Sequence, residues 1–285
     1  MMSEFEILAR ITFVAAAVTG AVGYGFSSLT VPIALLFFPN KVLNPALVCV
    51  AIVLNGYVLA LNWRDLPKVW KRVTPVILAL VPGIVVGSYV LANWNPDWLK
   101  LTTYLMLLPL ILLQAGGIRR PIQSERALAV PLGTGVGLLY SVTTISGPPL
   151  ALLFNNQGLV QGEFRAAMAL IRVVESVLAA IAYYFLGVYS AASSELFFWI
   201  LPGVLLGVPL GSFLIKRVNS ETFRRFCMSY DAWIVGFGLS RVLIVLQLLA
   251  TPIAYGVWLS VGAVDAYLLY VYFKRSQTIA VNSAG

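Results

Sequence analysis

The sequence contains no histidine and only two cysteines among its 285 residues. Without histidine, the chain lacks the side chain that most often serves as a metal ligand and as a general acid or base. Cys49 and Cys227 stand alone in apolar surroundings, without the spacing of a zinc site or a disulfide framework. No nucleophile–base pattern or ATP-binding loop accompanies them. We therefore expect no enzymatic activity, no metal and no cofactor.

Charge is also scarce, because charged residues make up 11% of the chain whereas hydrophobic residues make up 60%. The mean hydropathy is +0.90. A water-soluble domain could not cover its surface with so few charges. Apolar segments of about 20 residues, the length that crosses a bilayer, recur along the chain. We predict an all-α integral membrane protein with nine apolar segments, at 7–38, 42–62, 73–92, 99–117, 127–155, 164–188, 196–215, 226–249 and 252–273.

Two of these segments, 7–38 and 127–155, are about 30 residues long and carry glycines, hydroxyls and proline in their middle. They contain the stretches GYGFSSLTVP and SVTTISGPP. Irregular backbone inside a bilayer must be buried in protein or face a water-filled cavity. We predict that each segment is a broken or re-entrant helix and that the two breaks form one shared site. The alternative is that the glycines only allow close helix packing.

The N-terminus of a half-helix offers free N–H groups and partial positive charge, which suits an anion near the middle of the membrane. The predicted helix-breaking residues are Gly23, Gly25, Pro32, Pro148 and Pro149. The predicted substrate-binding groups beside them are Ser27, Ser28, Thr30, Ser141, Thr143, Thr144, Ser146 and Gly147.

The chain also carries signs of an internal duplication. The stretch LVPGIVVGS at 80–88 resembles ILPGVLLGV at 200–208, an offset of 120 residues, and matching Pro32 to Pro149 gives an offset of 117. We predict repeat 1 at 7–118, repeat 2 at 127–249 and an additional helix at 252–273. This organisation is common among secondary transporters.

The basic residues give an orientation. The net charge of +8 lies in short clusters between apolar segments, which indicates cytoplasmic loops and not nucleic-acid binding. If the two long segments each cross once, 17 Lys and Arg divide 8 against 9 between the two sides; if each returns to its starting side, they divide 14 against 3. The second arrangement inverts one repeat relative to the other. It predicts a bacterial inner-membrane protein with a periplasmic N-terminus and a cytoplasmic C-terminus.

A charged pair lies inside the sixth segment, where Arg172 and Glu175 are three residues apart on one helical face. One interpretation is a structural ion pair. The other is that Arg172 binds an anionic substrate while Glu175 takes up and releases a proton, since a buried carboxylate can titrate near neutral pH. In the duplicated half, the overlay places these residues on Ile52 and Asn55. The charged pair therefore belongs to one half only.

Three further charged residues are weaker candidates for a function. We expect Arg241 to reach water at a helix end. Asp231 is expected to pair with Arg224 or Arg225, and Asp265 to face a partner helix.

The two halves resemble those of the TauE/SafE family of sulfite and organosulfonate exporters over about residues 12–245. The resemblance rests on GAVGYGFSSLTVPIALL and SGPPLALLFNNQGLVQGEFRA, and on the two PG-x-x-x-G stretches. The sequence departs from the family pattern at Tyr24–Ser28, where glycines are usual, and at Cys49-Val50, where a Thr-Ser pair is usual. The resemblance implies a transporter of sulfite, a sulfonate or a related oxyanion or carboxylate.

We therefore expect a secondary transporter, an exporter in the direction that the resemblance implies, that moves a small anion by alternating access in the lipid bilayer. Coupling to protons through Glu175 is part of this expectation. The alternative is an anion channel or passive pore, which would need no coupled acid. The sequence leaves open whether copies form a homo-oligomer.

Overall fold

The computed structural model describes residues 4–22, 25–115, 125–154, 159–214 and 220–282. Within these ranges the chain is all-α, as predicted, and contains no strand. The helices are α1 Glu4–Val22, α2 Phe26–Ala34, α3 Asn40–Leu61, α4 Leu66–Asn93, α5 Pro96–Ala115, α6 Glu125–Thr143, α7 Gly147–Phe154, α8 Gln161–Phe185, α9 Ala191–Leu214, α10 Ser220–Val245 and α11 Thr251–Asn282, with a 3-10 turn at Trp63–Asp65.

Several of these helices are long and apolar enough to cross a membrane. Among the described residues, five meet that description: Asn40–Leu61, Trp63–Asn93, Gly162–Phe185, Ala191–Phe213 and Thr251–Tyr272. The apolar stretch Ala129–Thr143 of α6 is shorter.

Both long segments are interrupted, as predicted. We call the interruption between Val22 and Phe26 break 1, and that between Thr143 and Gly147 break 2. At break 1, Gly25 has a φ of 119°, which suits glycine. At break 2, Thr144 has a φ of 57°, an unusual value for a β-branched residue. Gly23 lies outside the described residues, as does the side chain of Pro148.

Corresponding helices in the two halves are 121 residues apart. This offset relates the ends of α1 and α6, the starts of α2 and α7, and the starts of α3 and α8. The offset of 117 from matched prolines was therefore wrong. Pro32 lies near the end of α2, whereas Pro149 is the third residue of α7, so the two prolines hold different structural positions.

The corrected offset changes the counterparts of the charged pair. Arg172 corresponds to Ala51 and Glu175 to Leu54, instead of Ile52 and Asn55. Burial supports this, since α3 buries Val50, Ala51, Leu54, Asn55 and Val58 while α8 buries Ile171, Arg172, Glu175, Ser176 and Ala179. The conclusion that only one half carries the charged pair is unchanged.

Glycines set the packing between the halves. The backbone of α4 at Gly83 and Gly87 lies against α6 at Thr134 and Leu138. On the other side of the molecule, Gly207 and Gly211 of α9 lie against α1 at Phe13 and Ala17. α4 and α9 thus correspond with an offset of 124, not the 120 that the PG pairs gave. In both contacts residue numbers rise together, so α1 is parallel to α9 and α6 is parallel to α4.

The two halves are inverted relative to one another, because corresponding helices run antiparallel. Asp65, just after α3, lies against Gly162 at the start of α8. Cys49, in the middle of α3, lies 3.6 Å from the hydroxyl of Tyr189, just after α8. In α5 and α10, Tyr104 lies against Gly238.

The helix directions show how the chain runs from α1 to α3. The five residues 186–190 are too few to recross a bilayer, so α9 runs opposite to α8. Since α1 is parallel to α9 and α3 is antiparallel to α8, α1 and α3 point the same way. The chain must therefore return toward its starting side through α2, as predicted for a re-entrant segment. Which side is cytoplasmic stays a prediction.

Candidate functional site

At break 2, the last carbonyl groups of α6 lie in the protein interior. Such groups have no partner inside their own helix and must find one elsewhere. Asn44 of α3 donates its side-chain N–H to the Val142 carbonyl at 2.6 Å, and Asn40 donates to the same oxygen at 3.3 Å. The hydroxyl of Tyr183 donates to the carbonyl of Ser141. Neutral side chains from α3 and α8 therefore cap the end of α6.

Break 1 is capped at the equivalent place by a charged side chain. Arg165 of α8 donates from Nη2 to the Ala21 carbonyl at 2.7 Å. With the offset of 121, Ala21 corresponds to Val142 and Arg165 corresponds to Asn44. Arg165, at the start of the apolar segment 164–188, was not among the residues predicted from sequence. The correct repeat offset is the signal that would have found it.

Glu175 contacts break 2 directly. Its side chain is 0% exposed, and its Oε1 accepts a hydrogen bond from the hydroxyl of Ser146. Its other oxygen, Oε2, has no hydrogen-bond partner. The structure thus brings together Glu175 and one of the predicted hydroxyls of SVTTISGPP. Burying a carboxylate with one free oxygen costs free energy unless a proton or another group compensates.

Arg172 lies on α8 between the two breaks. Along the helix it is seven residues from Arg165 and three from Glu175, or about 10 Å and about 5 Å. It is 2% exposed, and its Nε and Nη1 have no hydrogen-bond partner. A buried guanidinium with unpaired donors needs a partner, since its desolvation is otherwise uncompensated.

Glu175 is not that partner. Among the described residues the ion pair within 4.0 Å is Lys68–Asp65, on the surface. The expectation of an ion pair between Arg172 and Glu175, whether structural or as the empty-state partner, was therefore wrong. The carboxylate is turned to Ser146 instead, which leaves two guanidinium nitrogens unpaired.

Two further hydrogen bonds hold α8 in place around Arg172. The hydroxyl of Ser176 donates to the Arg172 carbonyl. Tyr140 of α6, fully buried, shares a 2.7 Å hydrogen bond with the same hydroxyl. These bonds tie α8 to the half-helix that ends at break 2.

The predicted hydroxyls divide into used and free groups. Ser141 and Thr143 donate to carbonyls one turn back in α6, and Thr144 donates to the Thr143 carbonyl. Ser28 donates to the Gly25 carbonyl at 3.1 Å. In contrast, the hydroxyls of Ser27 and Thr30 in α2 are buried and without a partner. The free hydroxyls thus belong to repeat 1.

The N-termini of the two half-helices α2 and α7 also differ in their hydrogen-bond donors, and repeat 1 again has more of them. In α7 the second and third residues are Pro148 and Pro149, which have no N–H to offer. The SGPP break therefore offers fewer N–H groups than a half-helix N-terminus usually does, and its binding of an anion stays a prediction. The first turn of α2 contains Phe26, Ser27 and Ser28, each of which has an N–H, and Gly25 before it provides no side-chain cap. This N-terminus is the better supplied with donors for an anion.

The weaker candidates lie away from the breaks. Asp265 of α11 accepts a hydrogen bond from Trp233 Nε1 of α10 at 3.3 Å, so it faces a partner helix as expected. Asp231 is buried, and neither carboxylate oxygen has a partner. The side chains of Arg224 and Arg225 lie outside the described residues, so their pairing with Asp231 stays a prediction. Arg241 is exposed near the end of α10, and its contact with water stays a prediction.

Comparison with known families gives the same identification as the sequence motifs. The model of the sulfite exporter TauE/SafE family matches residues 8–234, which include both breaks, α8 and the helices that pack on them. No curated protein and no solved structure matches the chain. The match spans well over half of the sequence, so the chain belongs to the TauE/SafE family of sulfite exporters, a family of membrane transporters.

Proposed function

We propose that the chain is a secondary transporter of a small oxyanion, such as sulfite, a sulfonate or a related carboxylate, and that the anion binds at Arg172 between the two breaks. The observation that carries this proposal is the buried guanidinium with two nitrogens unpaired. An oxyanion would accept from these donors and offset the cost of burying the charge.

Neutral donors would complete the site from repeat 1. Ser27 and Thr30 have free hydroxyls, and the first turn of α2 has N–H groups at Phe26, Ser27 and Ser28. Hydroxyl and backbone N–H groups favour an oxyanion without adding charge. Repeat 2 would then provide the charge, and repeat 1 would provide oriented dipoles.

Glu175 supplies the proposed coupling. A carboxylate that accepts from Ser146 and leaves one oxygen free can carry a proton. In this scheme, Glu175 is protonated when the anion is at Arg172, since a neutral acid avoids repulsion between two negative charges. Release of the anion and release of the proton would then be linked.

Flux through proteoliposomes tests the transporter against the passive pore. Sulfite uptake is measured with and without an imposed proton gradient, with protein-free liposomes as control. We expect flux that saturates with sulfite concentration and changes with the gradient. Flux that neither saturates nor depends on the gradient would identify a pore and remove this proposal.

The proposed orientation places the N-terminus in the periplasm of a bacterial inner membrane. It is tested by single cysteines in a chain without its native cysteines, labelled in intact cells with an impermeant thiol reagent. Lys71→Cys, on the predicted cytoplasmic side, should label only after the membrane is permeabilised. Asn95→Cys, an exposed residue at the opposite end of α4, is the matched control and should label at once. The reverse pattern would invert the topology.

A further inference from the structure

A second charged cavity lies away from the breaks, at the end of the seam between α5 and α10. Its volume is about 300 Å³. Lys100 lines it from α5, Arg241 lines it from α10, and the residues just after α2, Leu35 to Phe37, line the third side. It takes no part in the transport site proposed above, and the inference below does not rest on that proposal.

Helix register places the two cations on opposite walls. α5 and α10 run antiparallel, and Tyr104 lies against Gly238, where a larger residue would collide with the ring. One helical turn from this contact, Lys100 precedes Tyr104 on α5 and Arg241 follows Gly238 on α10. Among the described residues, neither cation has an ion-pair or hydrogen-bonded partner. The two cations therefore line a shared space, and neither forms an ion pair within 4.0 Å among the described residues.

A third charged residue determines the net charge of the cavity. Asp97 lies one turn before Lys100 on α5 and lines the same space. No ion pair within 4.0 Å joins the two side chains. With two cations and one carboxylate, the cavity carries a net charge of +1. This balance suits a singly charged oxyanion, such as a phosphodiester, better than a dianion.

The rest of the lining is apolar and lies at the depth of the membrane surface. Phe37 and Val245 are partly exposed at the rim, while Phe237 and Val242 line the wall. The exposed Trp94 and Trp98 flank the start of α5, and exposed tryptophans mark the boundary between lipid and water. A ligand that fits both parts must be an amphiphile with an oxyanion head.

The floor of the cavity is connected to the helix of break 1. The hydroxyl of Tyr104 donates to the Pro32 carbonyl of α2 at 3.1 Å. This bond occupies the hydroxyl, so the two cations remain as the donors that a ligand would meet. A ligand seated on this floor would brace α2 through Tyr104.

From this arrangement we infer that the cavity binds a membrane phospholipid, with the phosphate of the headgroup between Lys100 and Arg241 and the acyl chains along the apolar rim. Charge-assisted hydrogen bonds from both cations hold the phosphate. The site is distinct from the buried arginine of α8, since its residues directly follow α2 or lie on α5 and α10.

Lipid titration of the purified protein in non-ionic detergent tests the inference. The probe is a soluble phosphatidylglycerol with two six-carbon chains, and the readout is the rise in melting temperature with concentration. The wild type and the Lys71→Gln variant, which removes an exposed lysine elsewhere, should show the same saturable rise. Lys100→Gln and Arg241→Gln should each need about tenfold more lipid for half-saturation, and Lys100→Arg should retain binding.

Two further ligands separate the sources of the oxyanion and of the apolar contact. Inorganic phosphate represents a soluble anion, and the corresponding diacylglycerol represents the chains without the headgroup. We expect neither to give the saturable rise. Equal saturation in the wild type and in the Lys100→Gln, Arg241→Gln double variant would overturn the inference. So would a rise with inorganic phosphate, or with diacylglycerol, that equals the rise with phospholipid.

Discussion

Break 1 and break 2 hold equivalent places in the two halves but are built from different chemistry. The last carbonyls of α1 are capped by the charged Arg165, and those of α6 by Asn40, Asn44 and Tyr183. The first turn of α2 keeps its N–H groups, whereas α7 begins with two prolines. The difference shows that the two halves repeat a backbone arrangement but not its side chains. Under the proposed function, substrate chemistry would therefore depend on side chains specific to each half.

The charge distribution extends this comparison. α8 carries Arg165, Arg172 and Glu175, whereas the corresponding positions of α3 are Asn44, Ala51 and Leu54. An anion between the halves would therefore meet charge from one side and neutral donors from the other. The predictions below test this asymmetry, beginning with the largest expected effect.

The largest effect is expected at the arginine that has no counterpart in repeat 1. Arg172→Ala should lower sulfite flux at least about 100-fold, because it removes both free donors and their charge. Arg172→Lys keeps the charge without the planar fork and should weaken apparent affinity about tenfold. Ala51→Ser, at the matched position of α3, should leave flux near that of the wild type. Equal losses at positions 51 and 172 would remove the asymmetry.

Enlarging a glycine at a close helix contact should lower stability equally in both halves. Gly83→Val and Gly207→Val each place a side chain against the backbone of a neighbouring helix, so each should destabilise the protein by about 3 kcal/mol or prevent folding. Gly135→Ala is the control, since no atom lies within 4 Å of the added carbon. Thermal unfolding in detergent measures all three. If one of the two valine variants melts like the wild type, the corresponding α4 and α9 contacts are not equivalent.

The two caps should differ in strength. Arg165→Ala leaves the Ala21 carbonyl without its charged donor and should cost about 2 kcal/mol. Asn44→Ala should cost only about 1 kcal/mol, because Asn40 still donates to the Val142 carbonyl. The comparison is made by thermal unfolding, with Lys71→Ala as an exposed control. A larger loss at Asn44 than at Arg165 would reverse the assigned order.

The smallest effects are expected at the left-handed residues of the two breaks. Thr144→Gly should stabilise the protein by about 1 kcal/mol, because glycine adopts a φ of 57° without strain. Gly25→Ala should destabilise it by about 1 kcal/mol, since alanine is strained at a φ of 119°. Thr143→Gly, at a helical position, is the control and should also be destabilising. Stabilisation by alanine at position 25 would contradict the backbone described for break 1.

Several features of this fold could be predicted from sequence because they depend on local composition. Glycine, proline and hydroxyls within an apolar run marked both breaks, and Arg172 and Glu175 stood out as charges in a membrane segment. The asymmetry of positive charge also gave a re-entrant path for the chain, which agrees with the parallel directions of α1 and α3.

The remaining features depend on tertiary contacts. The matched prolines gave a wrong offset because a proline suits both the first turn of α7 and the last part of α2. Arg165 was missed because its role depends on the carbonyl of Ala21, 144 residues away. The expected pair of Arg172 and Glu175 was wrong because Ser146, in break 2, competes for the carboxylate.

The central claim is that Arg172 and Glu175 handle the anion and its proton and do not merely fill the interior. The most direct test is sulfite flux in proteoliposomes containing the double variant Arg172→Leu, Glu175→Leu. Apolar replacements of buried charges are often tolerated, so the variant should insert and keep the melting temperature of the wild type within a few degrees. We expect this folded protein to show no flux above that of protein-free liposomes. Flux equal to that of the wild type would contradict the account.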